Sequence, residues 1–159
     1  MLIFLDTEYT DALDCDLISI GMISEDGEFV LYAERSDYCA DWCNSFVHAA
    51  VLPQLGHAGP ALDRPKLGGT LIEWFATLPS SVTVACDSYT DWELLLDAMD
   101  GVPPANLAGR YDLRTHADSS VFNHAVVQYH ERGGPWHHAL HDARAHREGW
   151  LAWQNSQKA

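Results

Sequence analysis

Two carboxylates, Asp6 and Glu8, lie two positions apart at the end of a short apolar run, residues 2–6. Residues with this spacing share one face of a β-strand. Paired carboxylates repel each other unless a positive charge lies between them, and a divalent cation with oxygen ligands supplies that charge. The pair therefore predicts a metal site, although a strand that simply runs into an acidic loop would show the same residues.

A second acidic position lies near the middle of the chain, where Asp91 follows the apolar strand predicted at residues 82–86. A helix capping box is indicated at Thr90-Asp91-Trp92-Glu93, so Asp91 is predicted at the start of a helix. A carboxylate there also stabilises the helix dipole without any catalytic role. Asp87 competes with Asp91, since both lie in the crevice at the carboxyl end of a strand, where α/β sheets usually bind ligands. We favour Asp91 because of its spacing to the leucines that follow it.

The third element is a histidine-rich segment near the carboxyl end, in which His137 and Asp142 lie five positions apart. Inside one helix these two side chains would point about 140° apart and could not share a site. The Gly133-Gly134-Pro135 loop predicts that the helix begins at or after His137, which frees its imidazole to approach Asp142. A loop histidine beside a metal site is typical of a general base for water. His138 and His141 compete for this role, and an exposed, histidine-rich helix start is the alternative without catalysis.

Composition limits the classes of protein that this chain can represent. Its 159 residues, 47% of them hydrophobic, suffice for one domain with its own core, predicted over residues 1–159. The 9 Lys+Arg against 23 Asp+Glu give a net charge of −14, which disfavours sequence-independent coating of nucleic acid. No apolar run approaches a membrane span, and the start lacks the basic segment of a signal peptide. We therefore expect a cytoplasmic protein that does not enter membranes, with its four cysteines reduced.

The candidate residues must be positioned by strands and helices that the sequence also predicts. Short apolar runs indicate strands at residues 2–6, 17–24, 29–33, 82–86 and 106–112. Helical spacing indicates helices at residues 42–51, at 67–78 with Asp63 as a cap, from residue 90, at 122–129 and at about 138–154. The resulting order, β-β-β-α-α-β-α-β-α-α, predicts an α/β fold with a mixed sheet.

Taken together, these motifs resemble the DEDDh 3′–5′ exonucleases. The resemblance rests on Asp-x-Glu at the end of the first strand, an Asp at the start of a mid-chain helix and His-x-x-x-x-Asp at the opening of the last helix, and it runs from Asp6 to Asp142. It implies a ribonuclease-H-like fold, a mixed five-stranded sheet flanked by helices, in agreement with the strand order above. One departure is Asp87, because many members of the family carry Asn four residues before the second-motif Asp.

The resemblance also implies a role for each site residue. The implied metal ligands are Asp6, Glu8, Asp91 and Asp142. They would hold two divalent cations, Mg²⁺ or Mn²⁺, since carboxylates favour hard ions. His137 would take the proton from the attacking water, and two-metal hydrolysis would release nucleoside 5′-monophosphates. Thr7 and Tyr9, beside the metal pair, are expected to contact the substrate, with Tyr9 stacking on the terminal base unless it only packs in its loop.

A closer similarity exists to the small bacterial exoribonucleases of the ribonuclease AS type. It rests on Leu17-Ile18-Ser19-Ile20-Gly21, Glu25-Asp26-Gly27, and the spacing of Trp42, Phe46, Val47 and Val51, which we interpret as core residues. The similarity implies a 3′–5′ exoribonuclease that acts on the 3′ end of single-stranded RNA or on short oligonucleotides, as a homodimer. The alternatives are a DEDDh exonuclease for DNA, a phosphodiesterase for very short oligonucleotides, and a non-catalytic module that binds RNA or protein.

Overall fold

The structure, a computed structural model, describes residues 1–57, 61–79 and 81–158, and in these segments each of the five predicted strands is present. They are β1 (Leu2–Tyr9), β2 (Leu17–Ser24), β3 (Val30–Glu34), β4 (Val82–Cys86) and β5 (Leu107–Asp112). The strands form one sheet in the order β3-β2-β1-β4-β5. Strand β2 is antiparallel to β1 and β3, whereas β4 is parallel to β1 and β5. The predicted α/β fold with a ribonuclease-H-like mixed sheet is therefore confirmed.

Four α-helices flank the sheet in the described part of the chain. They are α1 (Arg64–Ala76), α2 (Tyr89–Ala98), α3 (Ser120–Glu131) and α4 (Ala139–Ser156). Strand β1 sends alternate side chains to opposite faces, so Ile3 and Leu5 pack with α1 and α2, whereas Phe4 packs with α3 and α4. The same alternation directs Asp6 toward α4. None of the helices in the described segments has the length and apolar character needed to cross a membrane.

The helix predicted at residues 42–51 is not a regular α-helix. The structure has a 3₁₀ turn at Ala40–Trp42, a π-helical turn at Val47–Val51 and a 3₁₀ turn at Leu52–Gln54. Val47 and Val51 are buried against Ile18, but Trp42 and Phe46 are 46% and 51% exposed. The interpretation of all four as core residues was therefore wrong for the two aromatic ones. The short turns bury only the face that contacts the sheet, and this face carries the valines.

Two helix starts were predicted from capping patterns, and the structure confirms only one of them. Asp63 caps α1 by accepting a hydrogen bond from the Lys66 backbone N at 3.0 Å, as predicted. Helix α2 begins earlier than predicted, because Ser88 is its cap and accepts from the Thr90 backbone N at 3.1 Å. Asp91 is therefore the third residue of α2 rather than its first. The first turn of α2 consequently carries Asp91 back toward β1.

Candidate metal centre

The site begins where β4 separates from β1. Strand β1 pairs with β4 only from Leu2 to Phe4, whereas its pairing with β2 continues to Tyr9. The second half of β1 therefore has a neighbour on one side only. The loop from Asp87 and the start of α2 follow β4 directly, so they face this free edge. This is the crevice at the carboxyl ends of parallel strands, where α/β folds usually bind ligands.

A cavity of about 380 Å³ occupies this crevice. Its acidic lining residues are Asp6, Glu8, Asp11, Asp87, Asp91 and Asp142. No Lys or Arg is among the described residues that line it. Six carboxylates without a cationic side chain repel one another, and this repulsion is relieved by protonation or by bound cations.

Three of the four predicted ligands approach one another closely. Asp6, Glu8 and Asp142 each present one oxygen that lies within 4.8 Å of the other two. Asp6 and Glu8 share a face of β1, as predicted from their spacing, and Asp142 faces them from the second turn of α4. Carboxylate oxygens at this spacing fit the ligand preference of Mg²⁺ or Mn²⁺.

Asp91, the fourth predicted ligand, lines the cavity but belongs to no such group of three among the described residues. It is 2% exposed, and its Oδ1 accepts a hydrogen bond from the Thr7 hydroxyl at 2.6 Å. Its Oδ2 is buried with no hydrogen-bond partner in the described part of the chain. Asp87, the competing residue, does form a group, with Asp6 and His146. The structure therefore leaves one buried oxygen of Asp91 without a partner among the described residues, and it brings Asp87 into a possible ligand group with Asp6.

Burial and repulsion by neighbouring carboxylates raise the pKa of each of the four predicted ligands, Asp6, Glu8, Asp91 and Asp142. Burial raises the pKa of Asp6 well above its usual value, and the charges of the neighbouring carboxylates raise it further. Burial, together with Asp142 and Asp91, raises the pKa of Glu8 to about 8. Burial also raises the pKa of Asp91, against the opposing hydrogen bond from Thr7. These shifts show that the folded chain disfavours four ionised carboxylates here unless a cation accompanies them.

This electrostatic cost predicts how metal-free protein responds to pH. The pKa of Glu8 is about 8 in the folded chain and close to 4.5 in the unfolded chain, so the folded state holds a proton that the unfolded state has released. Stability of the metal-free protein should therefore fall as pH rises from 6.5 to 8. Burial lowers the pKa of four histidines, His116, His138, His141 and His146, from 6.5. Their opposite effect on stability fades as pH rises through 6.5, because the unfolded imidazoles then lose their protons as well.

The measurement is the melting temperature between pH 6.5 and 8, with chelator and with saturating Mn²⁺. Mn²⁺ should raise the melting temperature, and the increase should be larger at pH 8 than at pH 6.5. Glu8→Gln should weaken the pH dependence of the metal-free protein. A melting temperature indifferent to Mn²⁺ and chelator at both pH values would contradict the placement of the site.

The carboxylate of Asp142 is held in place by two contacts, one with the backbone just before α4 and one with a side chain of α3. Its Oδ2 accepts a hydrogen bond from the His138 backbone N at 3.2 Å. Its Oδ1 lies 3.3 Å from Nε2 of His130, a side chain with 1% exposure. The other ring nitrogen of His130 lies 2.9 Å from the Gly134 carbonyl oxygen. A carboxylate oriented in this way resembles a metal ligand supported by partners outside the ligand set.

Gly21 of β2 brings the start of α4 close to the sheet. It pairs directly with Asp6 across the sheet, and the first residues of α4 rest on it. A Cβ at this position would lie 2.3 Å from the Leu140 backbone N and 2.4 Å from the Ala139 carbonyl carbon. Any larger residue must therefore push α4, and with it Asp142, away from Asp6.

We expect Gly21→Ala to lower both stability and Mn²⁺ affinity. Overpacking of this kind costs about 1–3 kcal/mol. Gly69→Ala is the matched control, because Gly69 is exposed on α1, a Cβ there meets nothing within 4 Å, and alanine favours a helix. Thermal melting and Mn²⁺ titration of both variants test this. Equal Mn²⁺ affinity in Gly21→Ala and wild type would show that α4 can move without disturbing the ligands.

His137 lies in the loop before α4, as predicted, and lines the cavity. Its backbone has a φ of 60°, an uncommon conformation that aims the residue away from the helix. The Gln54 side-chain amide donates to the carbonyl oxygens of Trp136 and His137 at 2.8 and 3.0 Å. The Phe46 ring packs edge-on against the imidazole, with centroids 4.7 Å apart. The loop is therefore anchored, while the imidazole stays exposed at the cavity.

The two competing histidines make contacts elsewhere. The His138 ring stacks on Tyr32 with centroids 4.5 Å apart, and neither His138 nor His141 is among the residues that line the cavity. His141 Nδ1 lies 2.7 Å from the Tyr129 hydroxyl. These contacts favour His137 as the base, in the register that was predicted.

The predicted substrate contacts both line the cavity, but they differ in what they can offer. The Thr7 hydroxyl is already engaged with Asp91, so its side chain positions a carboxylate. Tyr9 is half-buried and packs on the core cluster next to α2 while part of it faces the cavity. Stacking of Tyr9 on a terminal base stays a prediction.

Several residues of the site were missed by sequence reasoning. His146 lies one helical turn after Asp142, and the helix predicted at about 138–154 contained the signal for it, since residues four apart share a face. Phe46 was assigned to the core. Gln54 donates to the backbone carbonyls of the distant loop before α4, and His130 contacts the carboxylate of Asp142. No local pattern in the sequence indicates such contacts.

No protein-family model matches the chain, and no curated protein sequence matches it. The chemistry of the site therefore has to be inferred from its own residues. These are six carboxylates, a loop histidine and an exposed phenylalanine that line one cavity.

Proposed function

We propose that this chain is a metal-dependent 3′–5′ exoribonuclease that releases nucleoside 5′-monophosphates. The observation that carries the proposal is the cavity with six carboxylates and no basic side chain among its described lining residues. A phosphate group can enter such a cavity only when cations offset the carboxylate charge. The ribonuclease-H-like sheet supports the proposal by presenting Asp6 and Glu8 at the strand end where the resemblance to DEDDh exonucleases expects them.

Asp6, Glu8, Asp91 and Asp142 are the proposed ligands of two divalent cations. Their fit is supported by the close spacing of three carboxylates and by the buried, unpartnered Oδ2 of Asp91. When bound, the two cations supply hydroxide from water and stabilise the charge that develops on the phosphate. Thr7 and His130 orient the carboxylates of Asp91 and Asp142.

His137 is the proposed general base, which accepts the proton of the attacking water. Its imidazole is exposed at the cavity, whereas its backbone is held by Gln54. This combination lets the ring reach water without displacing α4. Phe46 and Tyr9 both line the cavity and are the proposed stacking partners for the terminal bases.

The cavity volume supports action at a chain end. About 380 Å³ lies near the lower end of the range for small-molecule pockets and fits one nucleotide better than a duplex. The net charge of −14 also disfavours long contacts with a nucleic-acid backbone. The preference for RNA and the 3′ end follow from the sequence resemblance alone.

The deciding experiment incubates the protein with a 5′-labelled single-stranded RNA and its DNA equivalent, with Mg²⁺, Mn²⁺ or chelator. We expect a ladder of RNA shortened from the 3′ end, which requires metal and is weaker on DNA. A circular RNA of the same sequence should remain intact. Internal cleavage of the circle would exclude an enzyme that requires an end.

The second candidate function is a phosphodiesterase for very short oligonucleotides, which the small cavity also favours. A series of RNA substrates from two to about thirty residues separates the two functions, because an exonuclease keeps its turnover number as length increases.

The proposed homodimer rests on the resemblance. Light scattering at twice the chain mass of 17.7 kDa is expected, and a mass of one chain would contradict it.

A further inference from the structure

Asp6 faces a second set of possible ligands beside the first. One ligand atom each of Asp6, Asp87 and His146 lies within 4.8 Å of the other two. His146 Nε2 lies 3.5 Å from Asp87 Oδ2. The four carboxylates of the two groups and a neutral imidazole carry four negative charges, which match two divalent cations.

The geometry of α4 connects this set to the first one. Asp142 and His146 lie four residues apart, so they project from consecutive turns on one side of the helix. Asp6 belongs to both groups and therefore lies between them. A carboxylate shared by two neighbouring cations is the arrangement of two-metal hydrolases, whose ions are about 3.5–4 Å apart.

An unpartnered buried atom of the described residues that line this cavity points independently to a missing ligand. Asp91 Oδ2 is buried with no hydrogen-bond partner in the described segments, and Asp91 lines the cavity together with Asp6 and Asp87. Buried polar atoms without a protein partner indicate a group that the chain itself does not supply.

An ion can reach this position from solvent. Asp87 is 49% exposed and lines both the 380 Å³ cavity and a neighbouring cavity of about 300 Å³, which His146 also lines. The group therefore lies where the two cavities meet. Ligand exchange needs no opening of the core.

We propose that the second of the two cations binds at Asp6, Asp87 and His146, which extend its ligand set beyond Asp91, and that this site binds Mn²⁺ in preference to Mg²⁺. Imidazole suits transition metals, whereas Mg²⁺ prefers sites made of oxygen ligands. The first site, with Asp6, Glu8 and Asp142, offers oxygen ligands alone and accepts either ion. The catalytic role of the second ion rests on the proposed nuclease function, but its binding does not.

The test counts Mn²⁺ ions on the full chain without nucleic acid, from the electron paramagnetic resonance signal of free Mn²⁺. Wild type should bind two ions. His146→Ala and Asp87→Asn should each bind one ion. Loss of a residue outside the ligand set lowers metal affinity about 10–100-fold, and loss of a ligand should lower the Mn²⁺ affinity of the second site by more than this. Asp87→Asn should fold normally because it removes no buried side chain, so it tests the site even if His146→Ala misfolds. Circular dichroism checks that both variants are folded.

A second measurement identifies the histidine directly. Electron spin echo envelope modulation of bound Mn²⁺ should show a coupled nitrogen nucleus from an imidazole in wild type. The control variants Asp118→Asn and His124→Ala should show the same coupling, because they replace exposed side chains. The coupling should disappear in His146→Ala. A wild type that binds one ion, or a nitrogen coupling that survives His146→Ala, would overturn the proposal.

The two proposals fail in different ways. Two bound Mn²⁺ ions with no hydrolysis of RNA would refute the nuclease function and leave the second site intact. Hydrolysis of RNA by a protein that binds a single Mn²⁺ would refute the second site and the two-metal form of the mechanism, and it would leave the exoribonuclease activity intact.

Discussion

Asp6→Asn is expected to abolish hydrolysis of RNA and to remove Mn²⁺ from the protein, because Asp6 contributes to both groups of ligand atoms. Loss of a partner outside the ligand set already lowers metal affinity or activity about 10–100-fold. Loss of a shared ligand should exceed this, so turnover and Mn²⁺ affinity should each fall by more than about 100-fold. Mn²⁺ titration and the RNA ladder measure the two quantities separately.

The same variant should not destabilise the metal-free protein. Burial and four neighbouring carboxylates raise the pKa of Asp6, so a neutral amide removes repulsion from the folded state. At pH 8 the metal-free variant should melt above metal-free wild type. Asp118→Asn changes the net charge equally at an exposed position and should alter none of these results. Unchanged hydrolysis and Mn²⁺ affinity in Asp6→Asn would show that the site is wrongly placed.

His137→Ala is expected to lower turnover by about 10²–10⁴-fold, the usual contribution of a general base. Mn²⁺ binding should persist, because His137 belongs to neither group of ligand atoms. Added imidazole should restore part of the activity, since the cavity is open at this side chain. Such rescue would not follow from a purely structural role of the residue. Single-turnover kinetics with and without imidazole measure both effects.

His138→Ala and His141→Ala are the matched controls. Their side chains contact Tyr32 and Tyr129 instead of the cavity, so each loss should stay within roughly tenfold, below the about 100-fold minimum for a general base. These variants should lower stability rather than catalysis. A large loss of turnover in His138→Ala, with His137→Ala near normal, would show that the register of the base is wrong by one residue.

Much of the fold could be predicted because it depends on local patterns. The five strands appear as short apolar runs, and their order along the chain restricts the sheet to few arrangements. The spacing of Asp6 and Glu8 defines a shared strand face, and the Gly133-Gly134-Pro135 loop defines where α4 can begin. Each of these features involves neighbours in the chain, so one segment suffices to indicate it.

The least predictable segment was the one between β3 and α1. Trp42, Phe46, Val47 and Val51 have helical spacing, but the chain there forms short 3₁₀ and π turns. Spacing assigns side chains to a common face only when the helix is regular. The irregular turns separate the aromatic residues from the valines, and Phe46 therefore lies against His137 at the cavity.

By itself, the sequence determined which residue types could hold a cation and which element carries each of them. Only the tertiary structure decided which of them meet. The distance between β1 and α4 depends on contact of α4 with Gly21, and the crevice depends on where β4 leaves β1. Both are packing relations between segments far apart in the chain. For this reason Asp87 and His146 join Asp6, whereas Asp91 turns one oxygen to Thr7.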